Sequence, residues 1–357
     1  MPEKQIQLKP RQAIRKMEPY RPPSSGREGK MRLDFNENTV SCSPRALQRL
    51  RGLGAATLAV YPEYEGALPK LARHFRVSPG QLTLTNGTDE AIQLVVNTFV
   101  NPGDQVLVPA PTYAMYRFYA QVMGADVVEV PYRRDLRFPA KELLAAISRR
   151  TRAIFIANPN NPTGSSASPA QLKAVLRAAP QAAVMVDEAY FEFSGQSALP
   201  WIKRYPNLFV SRTFSKAYGL AGLRVGCLFS SAHNIAAIRK GQSPYSVNRA
   251  AVAAALEAVR DRAFIRRYVA EVLAARTMLR EGLDRLGWKY FPSDANFILV
   301  EFGKHARRVR DLLAEEGILV RDRSYELAGC VRITVGTRAQ TRQLLKALER
   351  VTKAVSK

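Results

Sequence analysis

Apolar residues along the chain fall into two rhythms. Short β-rich runs at 105–108, 127–130, 153–157, 182–186, 208–211 and 225–229 are too short for helices and read as strands. Ahead of the first, at 89–99, and between others, at 141–148 and 169–178, apolar positions recur at helical spacing. Ser43-Pro44, Ser78-Pro79 and Ser168-Pro169 each place an oxygen cap before a proline, which predicts helix starts. Short apolar strands separated by helices predict a largely parallel sheet buried on both faces. Beyond Gly241 the rhythm changes. A long Ala- and Arg-rich helical stretch at 249–286, with a break near Asp261, precedes strands at 296–300, 318–320 and 331–335 and helices at 305–316 and 338–351. This part reads as a smaller α+β unit. Residues 1–40, with Pro10, Pro19, Pro22 and Pro23, read as irregular.

Parallel sheets bind ligands beyond the carboxyl ends of their strands. Three consecutive predicted strands end in Asn158-Pro-Asn-Asn-Pro-Thr-Gly164, in Asp187-Glu188-Ala189-Tyr190 and in Thr213-Phe214-Ser215-Lys216. In a parallel sheet, an amide cluster, a carboxylate with a phenol, and a hydroxyl-flanked lysine therefore meet at one edge. Each motif alone has a plain structural reading as turn, helix cap or solvated lysine. Their joint placement is what points to a site.

Composition narrows the class. The 357 residues are 46% hydrophobic, which excludes a disordered or fibrous chain and suggests two domains, or one large α/β unit with an appendage. Lys+Arg number 54 against 30 Asp+Glu, a net charge of +24 that raises nucleic-acid binding. The basic residues are spread along the chain, however. Clusters such as Arg149-Arg150-Thr151-Arg152 and Arg307-Arg308-Val309-Arg310 lie in helix-like or helix-ending segments and read as solvated faces, so no nucleic-acid partner is expected. No run approaches the roughly 18–20 apolar residues of a membrane span, and the first 30 residues lack a signal-peptide pattern. A cytoplasmic protein without a membrane partner is expected. Cys42, Cys227 and Cys330 are too scattered for a disulfide framework, and with His74, His233 and His305 isolated no metal site is expected.

A lysine that must react as an amine does so through a Schiff base with a substrate or a cofactor aldehyde. An aspartate at a neighbouring strand end, Asp187, suits a pyridinium nitrogen. Tyr190 and Asn161 suit the phenolate oxygen of the same ring. A phosphate needs backbone N–H groups at a helix start with hydroxyls and a cation. Asn86-Gly87-Thr88-Asp89 opens the predicted helix, and Ser215 and Arg224 flank Lys216. Tyr113, after another strand, suits a ring-stacking position or the core.

With these residues assembled, the chain resembles the fold-type I pyridoxal-phosphate aminotransferases, and within them the histidinol-phosphate aminotransferase family. The resemblance runs from Pro19-Tyr20 to the terminal helix. It rests on Leu33-Asp-Phe-Asn-Glu-Asn38, Tyr61-Pro-Glu63, Asn86-Gly-Thr-Asp-Glu90, Pro111-Thr-Tyr113, Asn160-Asn-Pro-Thr-Gly164, Val186-Asp-Glu-Ala-Tyr190, Thr213-Phe-Ser-Lys216 and Ala221-Gly-Leu-Arg224. Pro244-Tyr-Ser-Val-Asn248, Asn296-Phe297 and Gly329-Cys-Val-Arg-Ile-Thr-Val-Gly336 complete it. It implies an α/β fold, with a large domain on a mostly parallel seven-stranded sheet and a smaller α+β domain. The expected divisions are 1–45 as an N-terminal segment on the small domain, 46–255 as the cofactor-binding domain and 256–357 as the small domain.

The resemblance also implies roles. Lys216 binds the pyridoxal 5'-phosphate aldehyde and shuttles the proton, and Asp187 pairs with the ring nitrogen. Asn161 and Tyr190 bind the ring oxygen, and Tyr113 stacks on the ring. Gly87, Thr88, Ser215 and Arg224 hold the phosphate, and Tyr61 reaches it from the partner subunit of a homodimer with shared active sites. Tyr20, Asn36, Arg321 and Arg332 match positions at the substrate. The implied reaction interconverts histidinol phosphate and 2-oxoglutarate with imidazole-acetol phosphate and glutamate. An aromatic amino acid aminotransferase and a threonine-phosphate decarboxylase share this scaffold. A more remote alternative is a non-enzymatic, cofactor-sensing DNA-binding regulator. Three departures fall on the substrate side: Thr39-Val40-Ser41-Cys42 where the family usually has Pro and Gly, Phe35 where a small residue is common, and a short loop from Arg321 to Arg332.

Overall fold

The structure is a computed structural model that describes residues 8–19 and 26–355. Its strands are β1 (Met31–Leu33), β2 (Leu82–Thr85), β3 (Gln105–Ala110), β4 (Asp126–Pro131), β5 (Thr151–Ala157) and β6 (Ala183–Asp187). They continue with β7 (Leu208–Thr213), β8 (Gly226–Phe229), β9 (Lys289–Phe291), β10 (Phe297–Glu301), β11 (Ile318–Asp322) and β12 (Cys330–Thr334). Seven form one sheet in the order β2-β8-β7-β6-β5-β3-β4, parallel except for β8, which runs antiparallel to both neighbours. The other five form a second sheet, β1-β11-β12-β10-β9.

Alternation along the strands explains why the large sheet is apolar throughout. Leu107, Ile154, Ile156, Val184 and Val186 face one core, while Val106, Val108, Phe155, Met185 and Phe209 face another. Both faces are covered, as a mainly parallel sheet requires. The small sheet buries Leu33, Phe297, Val300 and Val331 with the helices Arg262–Arg285, Ala306–Glu315 and Arg338–Val355. Tyr190, Phe193 and Ala217 from the large sheet's edge join that second core. The expected break in the long helical stretch falls at Asp261. Its carboxylate caps the Arg262–Arg285 helix by accepting from Phe264 N, and also accepts from Ser43 Oγ at 2.7 Å.

Two expectations need correction. Residues 1–40 are not irregular throughout: a short helix spans Gln12–Arg15, and Met31–Leu33 adds a strand parallel to β11. Three residues are too few to show a period, and backbone pairing decides them. Ser78-Pro79 opens only the single turn Pro79–Gln81. Gln81 completes a capping box, and Leu82-Thr83-Leu84-Thr85 then pairs with β8.

Register puts charge on both sides of one strand end. In β6 and β7, Asp187 lies beside Ser211. Successive residues point to opposite faces, so Glu188 and Arg212 meet behind the site, with Arg212 Nε 2.6 Å from Glu188 Oε2. Both side chains are nearly excluded from solvent, and the guanidinium lies 3.3 Å over the Phe191 ring. Arg212→Ala leaves a buried carboxylate without a counter-charge. It should destabilise the fold by about 3–5 kcal/mol in urea titration, and a loss under about 1 kcal/mol would contradict the pairing.

Candidate active site

The carboxyl ends of β5, β6 and β7 open on a cavity of about 570 Å³ between the two sheets. Its walls include Asn36, Thr88, Tyr113, Asn161, Asp187, Tyr190, Ser215, Lys216, Arg224, Arg321 and Arg332. The structure thus brings eleven of the sequence-predicted residues to one place. Gly87 stands beside them: its φ is +72°, and a Cβ there would lie 2.4 Å from Arg224 Nη2. Tyr61 does not reach this cavity. It is 72% exposed and stacks on Tyr245, with ring centroids 4.4 Å apart, in a separate surface hollow with Leu58 and Val60. Tyr20 lies outside the described residues.

At the floor, Asp187 is buried. Tyr116 Oη donates to Oδ2 at 2.6 Å and Ser211 Oγ donates to Oδ1 at 2.8 Å. Burial pushes the carboxyl up to about 6, against the pull of these hydroxyl donors. Among the described residues no cation pairs with it. A carboxylate so placed calls for a cationic N–H partner from the cavity. Lys216, on the loop after β7, donates from Nζ to the Phe35 carbonyl at 3.0 Å. Burial, then the nearby Arg332 charge, lowers its amine to about 8.

A second pole is built for an anion. The Gly87–Phe99 helix points its N-terminus at the cavity. Thr88 Oγ1 is buried there without a hydrogen-bond partner. Arg224 reaches Ser215 Oγ at 3.4 Å and Asp89 Oδ2 at 3.1 Å. Tyr113 Oη also donates to Asp89, at 2.7 Å. A free hydroxyl, a helix N-terminus and an arginine suit a phosphate, so the donor set fits a pyridine ring carrying an aldehyde and a phosphate.

The opposite wall is cationic. Arg332 is 5% exposed, donates from Nη2 to Asp34 O at 2.5 Å and from Nη1 to Asn161 Oδ1, and keeps its Nε buried without a partner. Burial lowers it to about 10, which leaves it a cation at neutral pH. Arg321 is its register partner across β11 and β12 and lies 5.7 Å from the Phe35 ring centroid. Arg323 and Glu326 form an ion pair on the same wall.

Sequence reasoning missed Tyr116, Ser211, Asp89, Thr334, Arg323 and Glu326. Strand pairing offered a signal for Ser211, which sits level with Asp187 two residues before Thr213. Tyr116 carries no sequence mark that ties it to Asp187. Asp89 and Thr334 touch partners far along the chain, and Arg323 and Glu326, three residues apart, fall inside the loop from Arg321 to Arg332. Asn36 lines the cavity, yet both ends of its amide are engaged inside the protein: Nδ2 donates to Tyr190 Oη at 2.9 Å, and Oδ1 accepts from Thr334 Oγ1 at 3.0 Å.

The sequence profile of the family described as aminotransferase class I and II matches residues 28–348. The chain belongs to this family. It is 37% identical over 356 residues to a histidinol-phosphate aminotransferase of Symbiobacterium thermophilum, covering 95% of this chain and 97% of that one. A histidinol-phosphate aminotransferase of Geobacillus sp. is 36% identical over the same length, with the same coverage. Among solved structures, the histidinol-phosphate aminotransferase from Sinorhizobium meliloti in complex with pyridoxal-5'-phosphate superposes with a TM-score of 0.87. It is 29% identical, covering 96% of this chain and 97% of that one.

The depressed amine is directly measurable. Competitive acylation of cofactor-free protein, read by mass spectrometry at Lys216, should titrate with a midpoint near 8. A midpoint above about 10, the value of a solvated lysine, would contradict the burial.

Proposed function

We propose that this chain is a pyridoxal-phosphate-dependent aminotransferase that interconverts histidinol phosphate and 2-oxoglutarate with imidazole-acetol phosphate and glutamate. The observation that carries the reading is the pairing, in one cavity, of a buried carboxylate lacking a cationic partner with a lysine amine held near neutrality. The near full-length relatives supply the substrate.

When bound, pyridoxal phosphate supplies an aldehyde for the amino group and a ring that takes up electrons from the broken bond. The residues of the chain do the rest. Asp187 holds a proton on the ring nitrogen, and Tyr116 and Ser211 keep the carboxylate aimed. Asn161 and Tyr190 would hydrogen-bond the ring oxygen. Thr88, Ser215, Arg224 and the helix start at Gly87 would hold the phosphate, and Tyr113 would lie against the ring. Lys216 Nζ moves the proton to and from the substrate carbon, which its lowered basicity suits.

Arg321 and Arg332 bind the anionic end of either substrate, a phosphate or a carboxylate. The unpartnered Nε of Arg332 supports that role. The departure at Thr39-Val40-Ser41-Cys42, expected on the substrate side, lies outside this wall. There Asn38 Oδ1 accepts from Val40 N and Ser41 N in a turn of its own.

The enzyme works as a homodimer, in which the exposed pair Tyr61 and Tyr245 meets a second copy and Tyr61 reaches the neighbouring phosphate site. Its small-molecule partners are an amino donor and a keto acceptor. A cytoplasmic location belongs to the same reading and suits the three free thiols Cys42, Cys227 and Cys330. No helix of the described residues is long and apolar enough to cross a membrane.

A donor screen on cofactor-loaded enzyme should give turnover with histidinol phosphate well above phenylalanine, and no CO2 from O-phosphothreonine. Turnover with phenylalanine alone would make it an aromatic aminotransferase, and CO2 release a decarboxylase. Lys216→Ala should lower kcat by about 10²–10⁴-fold or more, the worth of a positioned acid–base. Arg332→Ala should raise KM for both substrates more than it lowers kcat. Unchanged KM values would remove Arg332 from the substrate site.

A further inference from the structure

Asn36 takes an unusual backbone for a side-chain-bearing residue, with φ at +56°. Asparagine tolerates this region better than most residues, and the surroundings hold it there. Asn36 N donates to Thr334 Oγ1 at 3.0 Å, and Asn296 Nδ2 donates to Asn36 O at 3.1 Å. Thr334 Oγ1 accepts from the backbone N–H and gives its own proton to Asn36 Oδ1, 3.0 Å away. That fixes which end of the amide faces Tyr190: Nδ2 donates to the phenol oxygen at 2.9 Å. Asn36, Asn296, Thr334 and Tyr190 are all buried. Water therefore cannot replace these bonds.

The consequence lies at the phenol. Its oxygen receives a hydrogen bond from behind, and among the described residues nothing accepts its proton. The O–H is left to point into the cavity. We propose that Thr334 and Asn36 are positioning residues that form a relay, which turns the Tyr190 hydroxyl proton toward the cofactor's ring oxygen and strengthens it as a donor. The relay rests on the role given to Tyr190 above. It runs from the end of β12 through the segment after β1 to the loop after β6, so the small sheet aims a donor on the large one.

The other charges at Tyr190 are Arg332, Asp187 and Arg323, with Lys216 Nζ 5.9 Å from the ring centroid. Burial raises the phenol's pKa, while Arg332 and the Asn36 bond pull it down. The group stays a protonated donor at neutral pH.

A donor to the ring oxygen spreads that oxygen's negative charge and weakens its hold on the neighbouring proton. Weakening the donor should therefore raise the pH midpoint of the long-wavelength absorbance of cofactor-loaded enzyme. Thr334→Val should shift the midpoint up by about 0.5–1 pH unit, the worth of one hydrogen bond. Thr334→Ser, which keeps the hydroxyl, should restore it. Tyr190→Phe should shift it at least as far, and adding Thr334→Val to Tyr190→Phe should move it no further. Should Thr334→Val not fold, Asn36→Gly, which accepts the same φ, carries the same test.

An unchanged midpoint in Thr334→Val, or a full shift persisting in the Tyr190→Phe background, would overturn the relay while leaving the aminotransferase reading intact. A wild-type protein with no such band, or one retained in Lys216→Ala, would overturn that reading and the relay with it.

Discussion

A carboxylate sealed under a sheet edge, held by two hydroxyls and a backbone N–H but facing no cation among the described residues, still calls for a charged partner. Asp187 has lost water, gained Tyr116 and Ser211, and lacks a cation among the described residues. Removing a carboxylate from water is expensive unless a partner replaces the solvent. The rest of the site is arranged so that the partner arrives as a ligand. In the proposed reading, an anion pole at the start of the Gly87–Phe99 helix would fix one end of that ligand, and the buried amine of Lys216 would meet the other.

The fold provides this through register. Three adjacent parallel strands end at the same level, so residues far apart in sequence meet without long loops. The same alternation sends Glu188 and Arg212 to the opposite face, where a closed ion pair contrasts with the open one at Asp187. One strand end thus carries a charge paired with a cation and, on the other face, a carboxylate with no cation among the described residues. The small sheet closes the cavity from above with Arg321 and Arg332, and its core reaches down to Tyr190 and Ala217.

Much of this arrangement is legible in the amino-acid sequence. Short apolar runs identify the inner strands, because a sheet covered on both faces leaves no polar alternation to confuse them. The strand-end rule then places Asn161, Asp187 and Lys216 together. Edge pieces are not legible. β1 and β9 have three residues each, and the antiparallel direction of β8 carries no compositional mark. Partners such as Tyr116 for Asp187, or Thr334 for Asn36, are set by tertiary geometry across 71 and 298 residues. Asn36 is legible as a site residue. That its amide is turned inward depends on a threonine hydroxyl that sequence pattern does not reveal.

The role proposed for Asp187 is to hold a cation, and the proton on the ring nitrogen is the quantity to observe. Nitrogen NMR of enzyme loaded with cofactor labelled at that nitrogen reports it directly. A protonated nitrogen is expected in the wild type at neutral pH and well above it, and a neutral one in Asp187→Asn. A neutral ring nitrogen in the wild type at pH near 7, or an unchanged protonated signal in Asp187→Asn, would contradict it.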